Sequence, residues 1–145
     1  MATRVLFLCT GNSCRSQMAE GLLRHLGGER YEAFSAGTKP AARVHPLAVE
    51  TMAERGIDIS AHRPKLLDEF AGQTFDLLIT TCDDANEECP CYPGARARLH
   101  WSLPDPAKAT GTEEEVSAAF RSVADDLERR IGELLGSGRG QRAWP

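Results

Sequence analysis

Short apolar segments of strand length alternate along this chain with amphipathic segments of helical length. The strand-like segments are Val5 to Leu8, Tyr31 to Ala36, Phe75 to Thr80 and, more weakly, Arg96 to Trp101. Such alternation favours a parallel sheet, because parallel strands need crossover connections, and helical crossovers cover the faces of the sheet. We therefore predict an α/β fold: a single three-layer domain with a four-stranded parallel sheet and helices on both faces.

Two segments repeat apolar residues every three or four positions, which is typical of helices, and Met18, Leu22 and Leu26 form the apolar stripe of the first. Pro46 suits the first turn of another helix, and Gly56 would end it. Thr112 and Glu115 form a capping box in front of the last helix, and Gly136 ends it. One further segment, from Ser60 to Phe70, is compatible with a short helix behind Pro64. The three predicted helices run from about Ser16 to Leu26, from Pro46 to Arg55, and from the capping box to Gly136.

Length and composition narrow the class of protein. The 145 residues suit one catalytic domain, which we place at residues 1–136, and residues 137–145 are predicted to form a mobile tail. A net charge of −4 without a basic cluster argues against nucleic-acid binding. No apolar run approaches the roughly 18 residues of a membrane helix, and the N-terminus does not read as a signal peptide. We expect a cytoplasmic monomer that binds no membrane.

The loop between the first strand and the first helix, Cys9 to Ser16, has the sequence CTGNSCRS. Backbone N–H groups in such a turn form an anion-binding nest, and the helix N-terminus adds positive potential. Arg15 offers two parallel donors to an oxyanion, and Gly11 and Asn12 tolerate the left-handed backbone of a tight loop. The residues predicted to bind the oxyanion are Thr10, Gly11, Asn12, Ser13, Cys14 and Arg15.

The same positive field acts on the thiol of Cys9. With Arg15 and the Ser16 hydroxyl nearby, we expect the pKa of Cys9 to fall below the value of about 8.5 of a free thiol. The thiolate is the nucleophilic form, so the loop predicts a catalytic cysteine. Cys14 is expected to be a small buried side chain of the loop.

Two more reactive side chains follow later strands, since Cys82 follows the third and Asp105 follows the fourth. In open parallel sheets, ligands bind beyond the carboxyl ends of the strands, where the strand order reverses. We therefore expect Cys9, Cys82 and Asp105 to meet. Asp105 is the candidate general acid.

Several longer runs of the sequence carry a family resemblance. They are Cys9 to Gly21 (CTGNSCRSQMAEG), Ser35-Ala36-Gly37, Gly56-Ile57-Asp58-Ile59-Ser60, Thr80-Thr81-Cys82, Cys89-Pro90 and Leu103-Pro104-Asp105-Pro106. Together they closely resemble the arsenate reductases that share the low-molecular-weight tyrosine phosphatase fold. The resemblance covers nearly the whole chain and leaves only the tail outside.

The resemblance implies a thioredoxin-coupled disulfide relay. Cys9 would attack arsenate, Cys82 would then attack Cys9 as arsenite leaves, and Cys89 would take over the disulfide for reduction by thioredoxin. Arg15 and Ser16 would assist Cys9. If residues 82–89 form a helix in the reduced state, the Cα atoms of Cys82 and Cys89 are roughly 10 Å apart, which is too far for a disulfide. We therefore expect this segment to unwind during the cycle. Cys91 is an alternative to Cys89.

Phosphate and sulfate are expected to mimic arsenate, and no cofactor or resident metal is predicted. Asn12, Glu20 and Ser35 match positions that hold the loop or a nearby cation in some relatives. Here Arg63-Pro64-Lys65 replaces the polar or acidic residues expected to complete such a site, so we do not expect potassium to bind. The four histidines lack metal-site spacing and are expected at the surface or in helix caps.

Two other functions stay open at this point. The first is a small phosphatase of the same fold that uses Cys9, Arg15 and Asp105 without a disulfide step. The sequence after Asp105 lacks the aromatic residue that would hold a phosphotyrosine ring, which disfavours it. The second is a non-catalytic redox or metal sensor built on the later cysteines, which would leave the Cys9 loop unexplained.

Overall fold

The computed structural model of the chain describes residues 2–82 and 92–136. Its strands are β1 (Thr3–Cys9), β2 (Tyr31–Gly37), β3 (Phe75–Thr80) and β4 (Ala95–His100), and its α-helices are α1 (Arg15–Gly27), α2 (Pro46–Ala53) and α3 (Glu113–Gly136). Short 3-10 turns occupy Gly28–Arg30, Leu67–Phe70 and Pro106–Lys108. The four predicted strands and three predicted helices are confirmed, with bounds that shift by one or two residues. The uncertain segment from residue 60 to residue 70 forms only the 3-10 turn at its end.

The four strands form one parallel sheet in the order β2-β1-β3-β4. The chain leaves β1 for β2 on one side and returns to β3 on the other, so the strand order reverses beside β1. The register pairs Cys9 with Gly37 and Leu8 with Thr80, which brings the carboxyl ends of three strands to the same level. The loop after β1 therefore lies at the position where such sheets bind ligands.

Side chains of β1 alternate between the two faces of the sheet. Val5 and Phe7 pack into the larger core with α1, α2 and α3, whereas Leu6 and Leu8 pack into the second cluster with Phe70 of the 3-10 turn. All four β1 side chains are fully buried, as expected for a strand covered on both faces.

Two helices show where local pattern and tertiary packing agree and differ. The Thr112 and Glu115 capping box is confirmed by reciprocal hydrogen bonds of 3.1 Å between each side chain and the other residue's N–H. On α1, Leu26 was expected on the buried stripe but is 42% exposed. This expectation was wrong because Leu26 lies at the end of the helix, past the edge of the core, while Leu23 is buried instead.

No helix within residues 2–82 and 92–136 is long and apolar enough to cross a membrane. The tail assigned to residues 137–145 lies outside the described residues.

Candidate active site

The loop from Cys9 to Arg15 curls around the Cys9 sulfur. Cys9 is the last residue of β1 and is buried, and Arg15 is the first residue of α1. The Asn12 N–H donates to the Cys9 Sγ at 3.1 Å. Asn12 adopts a left-handed backbone with φ of +50°, as expected from its residue type, and this conformation turns its N–H inward.

Outward-facing carbonyls show how the rest of the nest is built. The carbonyl oxygens of Thr10, Gly11 and Ser13 accept hydrogen bonds from the segment after β2, at 2.8 to 2.9 Å. A planar trans peptide points its C=O and the following N–H in opposite directions. The N–H groups of Gly11, Asn12 and Cys14 are thereby directed to the inside of the loop, where an oxyanion would accept from them.

A glycine at the end of β2 makes this arrangement possible. A Cβ atom on Gly37 would lie 2.5 Å from the Thr10 carbonyl oxygen and 3.1 Å from the Asn12 Cβ. Because no side chain fits there, the loop can pack directly against the end of β2.

Ser16 links the nucleophile to the scaffold of the loop. Its Oγ lies 2.8 Å from the Cys9 Sγ and accepts a 2.8 Å hydrogen bond from the Asn12 side-chain amide. With that amide donating to the oxygen, the hydroxyl hydrogen is available to the sulfur. Ser16 is thus placed to stabilise a Cys9 thiolate.

The pKa of Cys9 is raised in the structure, whereas the sequence predicted a lowered value. Burial raises the pKa of the Cys9 thiol, the hydrogen bonds from Ser16 and the charge of Arg15 lower it, and the nearby Cys82 raises it. Burial outweighs the rest, so the prediction of a lowered pKa was wrong for this structure. The loop sequence could not reveal it, since the desolvation comes from the sheet and the second cluster.

Arg15 and Asp105 lie close together. The Arg15 Nη2 lies 3.7 Å from the Asp105 Oδ2, and the Nη1 donates to the Leu103 carbonyl at 3.0 Å. The Arg15 Nε is buried and has no hydrogen-bond partner within the described part of the chain. A buried guanidinium donor without a partner is costly, and an oxyanion in the loop would satisfy it.

Cys82 lies beside the loop. It is buried and unbridged, its Sγ lies 3.4 Å from the Thr10 Oγ1, and it belongs to the same apolar cluster as Cys9. The structure therefore brings Cys9, Cys82 and Asp105 to one edge of the sheet. Cys89 and Cys91 lie outside the described residues, and so do residues 83–89 of the segment that is predicted to unwind.

Two supporting residues were not found by the sequence analysis. Gln17 is fully buried on α1 and donates from Nε2 to the Asn12 side chain at 3.1 Å and to the Arg63 carbonyl at 2.9 Å. Its Oε1 lies 3.0 Å from the His62 Nδ1. His62 was expected at the surface or in a cap, and this was wrong because it packs between Gln17 and Glu20. His45 does cap α2, accepting from the Leu47 N–H.

Residues 2–82 and 92–136 contain no group of three metal-binding side chains. Glu20 and Ser35, which match cation-site positions, are hydrogen-bonded to each other at 2.5 Å. Cationic side chains of the chain itself lie around Glu20, with Arg24 at 2.8 Å and Lys65 at 3.8 Å.

Comparison with known proteins adds three kinds of match. Residues 4–142 match the family model described as low molecular weight phosphotyrosine protein phosphatase. An arsenate reductase of Halalkalibacterium halodurans is 45% identical over 135 residues, which cover 93% of this chain and 96% of that protein.

Solved structures agree with the sequence match. The structure titled an arsenate reductase in the phosphate binding state has a TM-score of 0.77 at 31% identity and covers 93% of this chain and 98% of its own. The thioredoxin-dependent arsenate reductase of Corynebacterium glutamicum has a TM-score of 0.76 at 33% identity, covering 97% of this chain and 64% of its own.

Proposed function

The chain belongs to the low molecular weight phosphotyrosine protein phosphatase family and is an arsenate reductase, and from this premise we propose which residues carry the reaction. Cys9 is the nucleophile, the loop to Arg15 binds the arsenate, Ser16 stabilises the thiolate, and Asp105 is the general acid. Cys82 and Cys89 complete the disulfide relay. The observation that supports this assignment best is the buried, unbridged Cys82 beside the loop that encloses the Cys9 sulfur.

The first step forms a bond between sulfur and arsenic. Because burial keeps the pKa of Cys9 raised, we infer that the thiol proton passes to an oxygen of the arriving arsenate dianion. The thiolate then attacks arsenic while Asp105 protonates the departing hydroxyl, which leaves as water. The inward N–H groups and Arg15 hold the remaining oxygens.

The second step reduces arsenic. The Cys82 thiolate attacks the Cys9 sulfur, the electrons of the sulfur–arsenic bond pass to arsenic, and arsenite leaves. A Cys9–Cys82 disulfide results, so two thiols have supplied the two electrons. Cys89 then attacks Cys82 and releases the Cys9 thiolate, leaving a Cys82–Cys89 disulfide.

Thioredoxin is the proposed reductant of that last disulfide, and the thioredoxin-dependent relative supports the choice. A cytoplasmic location and a monomeric state belong to the same proposal. The relay needs thiols that start reduced, and this is the normal state of cysteines in the cytosol.

The phosphatase alternative uses the same loop. It gains no support from Cys82, whose thiol has no role in hydrolysis of a phosphocysteine. Asp105 is followed by Pro106 and Ala107 in the 3-10 turn, and this sequence offers no aromatic wall for a phosphotyrosine ring.

A coupled assay tests the relay. Arsenate-dependent NADPH oxidation is measured with thioredoxin and thioredoxin reductase, comparing the wild type with Cys9→Ser, Cys82→Ser and Cys89→Ser. Each substitution should abolish turnover, whereas only Cys9→Ser should abolish any hydrolysis of p-nitrophenyl phosphate. Cys91→Ser is the matched control and should retain turnover. Retention by Cys89→Ser with loss in Cys91→Ser would assign the last step to Cys91, and full turnover of Cys82→Ser would refute the relay.

A further inference from the structure

Glu20 is a buried acid outside the proposed reacting groups. Its side chain is only 5% exposed, and its Oε1 accepts a hydrogen bond from the Ser35 hydroxyl. A carboxylate in such a place is stable only with hydrogen bonds and a countercharge.

Two cations of the chain approach the two oxygens of Glu20 from different sides. Arg24 lies 2.8 Å from Oε2, but its side chain is 55% exposed, at the surface of α1. Lys65 lies 3.8 Å from Oε1, the oxygen bonded to Ser35, and is only 18% exposed. His62 faces Oε2 at 3.8 Å, and burial lowers its pKa, so it favours the neutral form. Lys65 is therefore the interior countercharge.

The backbone of Lys65 is tied to the loop. Its N–H donates to the Asn12 Oδ1 at 2.9 Å, and its carbonyl accepts from the Gly37 N–H at 2.8 Å. Its Nζ folds back and donates to the Arg63 carbonyl at 3.0 Å. The ammonium thus fixes the segment that presents its own N–H to Asn12.

From Asn12 the contacts reach the reacting sulfur in two steps. The Asn12 amide donates to the Ser16 Oγ, which lies 2.8 Å from the Cys9 Sγ. A series of contacts runs from Glu20 to Cys9: the 3.8 Å ion pair with the Lys65 ammonium, the hydrogen bond from the Lys65 backbone to Asn12, and the contacts of Ser16 with Asn12 and Cys9. Displacement of the segment at Lys65 would release the Asn12 side chain and, with it, Ser16.

We propose that Lys65 is a positioning residue for arsenate reduction, whose ammonium is a cation built into the chain that neutralises Glu20 and holds Asn12 in place. The inference rests on the proposed role of Cys9. Its consequence is that the enzyme needs no free monovalent cation.

The oxygens around the Lys65 ammonium suggest a direct chemical test. Removing the ammonium would leave a carboxylate oxygen of Glu20, the Ser35 hydroxyl and the Arg63 carbonyl close together, a set of oxygens that suits a monovalent cation. Lys65→Ala would open that space, and Lys65→Met would fill it with an apolar chain of similar length. The two substitutions remove the same charge but differ in the room they leave.

The experiment compares both variants with the wild type and with Arg63→Met. Arg63 carries an exposed charge two residues away that pairs with Glu69, so its replacement removes a charge without touching Glu20. Three quantities are measured in sodium, potassium and methylammonium chloride at equal ionic strength. They are kcat/KM for arsenate, the Kd of phosphate, and the rate of Cys9 alkylation by iodoacetamide.

Lys65→Ala should lose about tenfold in kcat/KM in sodium chloride and regain most of it in potassium or methylammonium chloride. Lys65→Met should lose as much and regain nothing, and the wild type and Arg63→Met should not respond to the cation. The proposal is overturned if Lys65→Met matches the wild type in phosphate binding and alkylation, or if potassium activates the wild type. Phosphate binding and alkylation need no turnover, so they report on Lys65 even where Cys82→Ser refutes the relay.

Discussion

The Ser16 hydroxyl oxygen lies 2.8 Å from both the Cys9 sulfur and the Asn12 side-chain nitrogen. Ser16 therefore couples the ionisation of the nucleophile to the conformation of the loop. Among the influences that lower the pKa of Cys9, its hydrogen bonds are larger than the charge of Arg15.

Replacing Ser16 should make Cys9 less reactive. In Ser16→Ala the sulfur loses its hydroxyl donor, so the pKa of Cys9 rises further and the thiolate fraction at pH 7 falls. We expect iodoacetamide to alkylate Cys9 about tenfold more slowly at pH 7, since a hydrogen bond to a charged group contributes about 1.5 kcal/mol or more. The pH profile of alkylation measures the shift. Ser60→Ala, at an exposed position, is the control, and an unchanged profile in Ser16→Ala would contradict the prediction.

Arg15→Lys keeps the charge but removes the planar pair of donors. Lysine cannot replace a bidentate contact, so kcat/KM for arsenate should fall about a hundredfold, with weaker phosphate binding measured by calorimetry. Arg129→Lys changes an exposed arginine that forms surface ion pairs with Asp126 and Glu133, and it should leave both values intact. Equal phosphate affinity in Arg15→Lys and the wild type would show that the guanidinium does not grip the oxyanion.

Gly37→Ala should destabilise the fold by about 3 kcal/mol, because the new Cβ would approach the Thr10 carbonyl to 2.5 Å. Urea unfolding measures this change. Gly132→Ala is the matched control, since a Cβ there meets nothing within 4 Å. This substitution replaces a glycine inside a helix, so the free energy of unfolding should increase by about 1 kcal/mol. Equal midpoints for the two variants would rule out the close approach at Gly37.

The buried thiol of Cys14 should make the folded protein less stable in alkali. Burial raises its pKa from an ordinary value of 9.0 to about 11, with smaller effects from the hydrogen bond with Ser13, which lowers the pKa, and from the charge of Asp105, which raises it. Above the unfolded-state pKa the unfolded chain releases this proton while the folded chain keeps it. The free energy of unfolding therefore falls as pH rises from about 9 to about 11.

The Cys14 contribution can be isolated by substitution. In Cys14→Ala the part of the decline due to this thiol, about 2 kcal/mol by pH 11, should disappear from urea-unfolding profiles. The wild type should remain steeper over this range. Parallel profiles for the two proteins would show that Cys14 titrates in the folded state like a free thiol.

Much of the fold and of the candidate site could be predicted from local sequence. The alternation in β1 and the capping box at Thr112 are local signals, and both are confirmed. So are the placement of the Cys9 loop between a strand and a helix and the approach of Cys82 and Asp105 to it, since parallel topology aligns strand ends.

What could not be predicted depends on contacts distant in sequence. The ammonium of Lys65 meets Glu20 across 45 positions, and no spacing rule connects them. The direction of the Cys9 pKa depends on how deeply the sheet and its second cluster bury the sulfur. His62 resembled a surface residue because nothing near it in sequence reveals that Gln17 lies opposite.

The common direction of the four strands gives the molecule two unlike poles. Cys9 and the residues that assist it lie at one pole, while the turn around Gly72 that precedes β3 lies at the other, with a positive φ and open space around its Cα. A reporter or affinity handle inserted at that distal turn would be a sheet's length from the chemistry. The architecture thus separates where the enzyme can be modified from where it must stay unchanged.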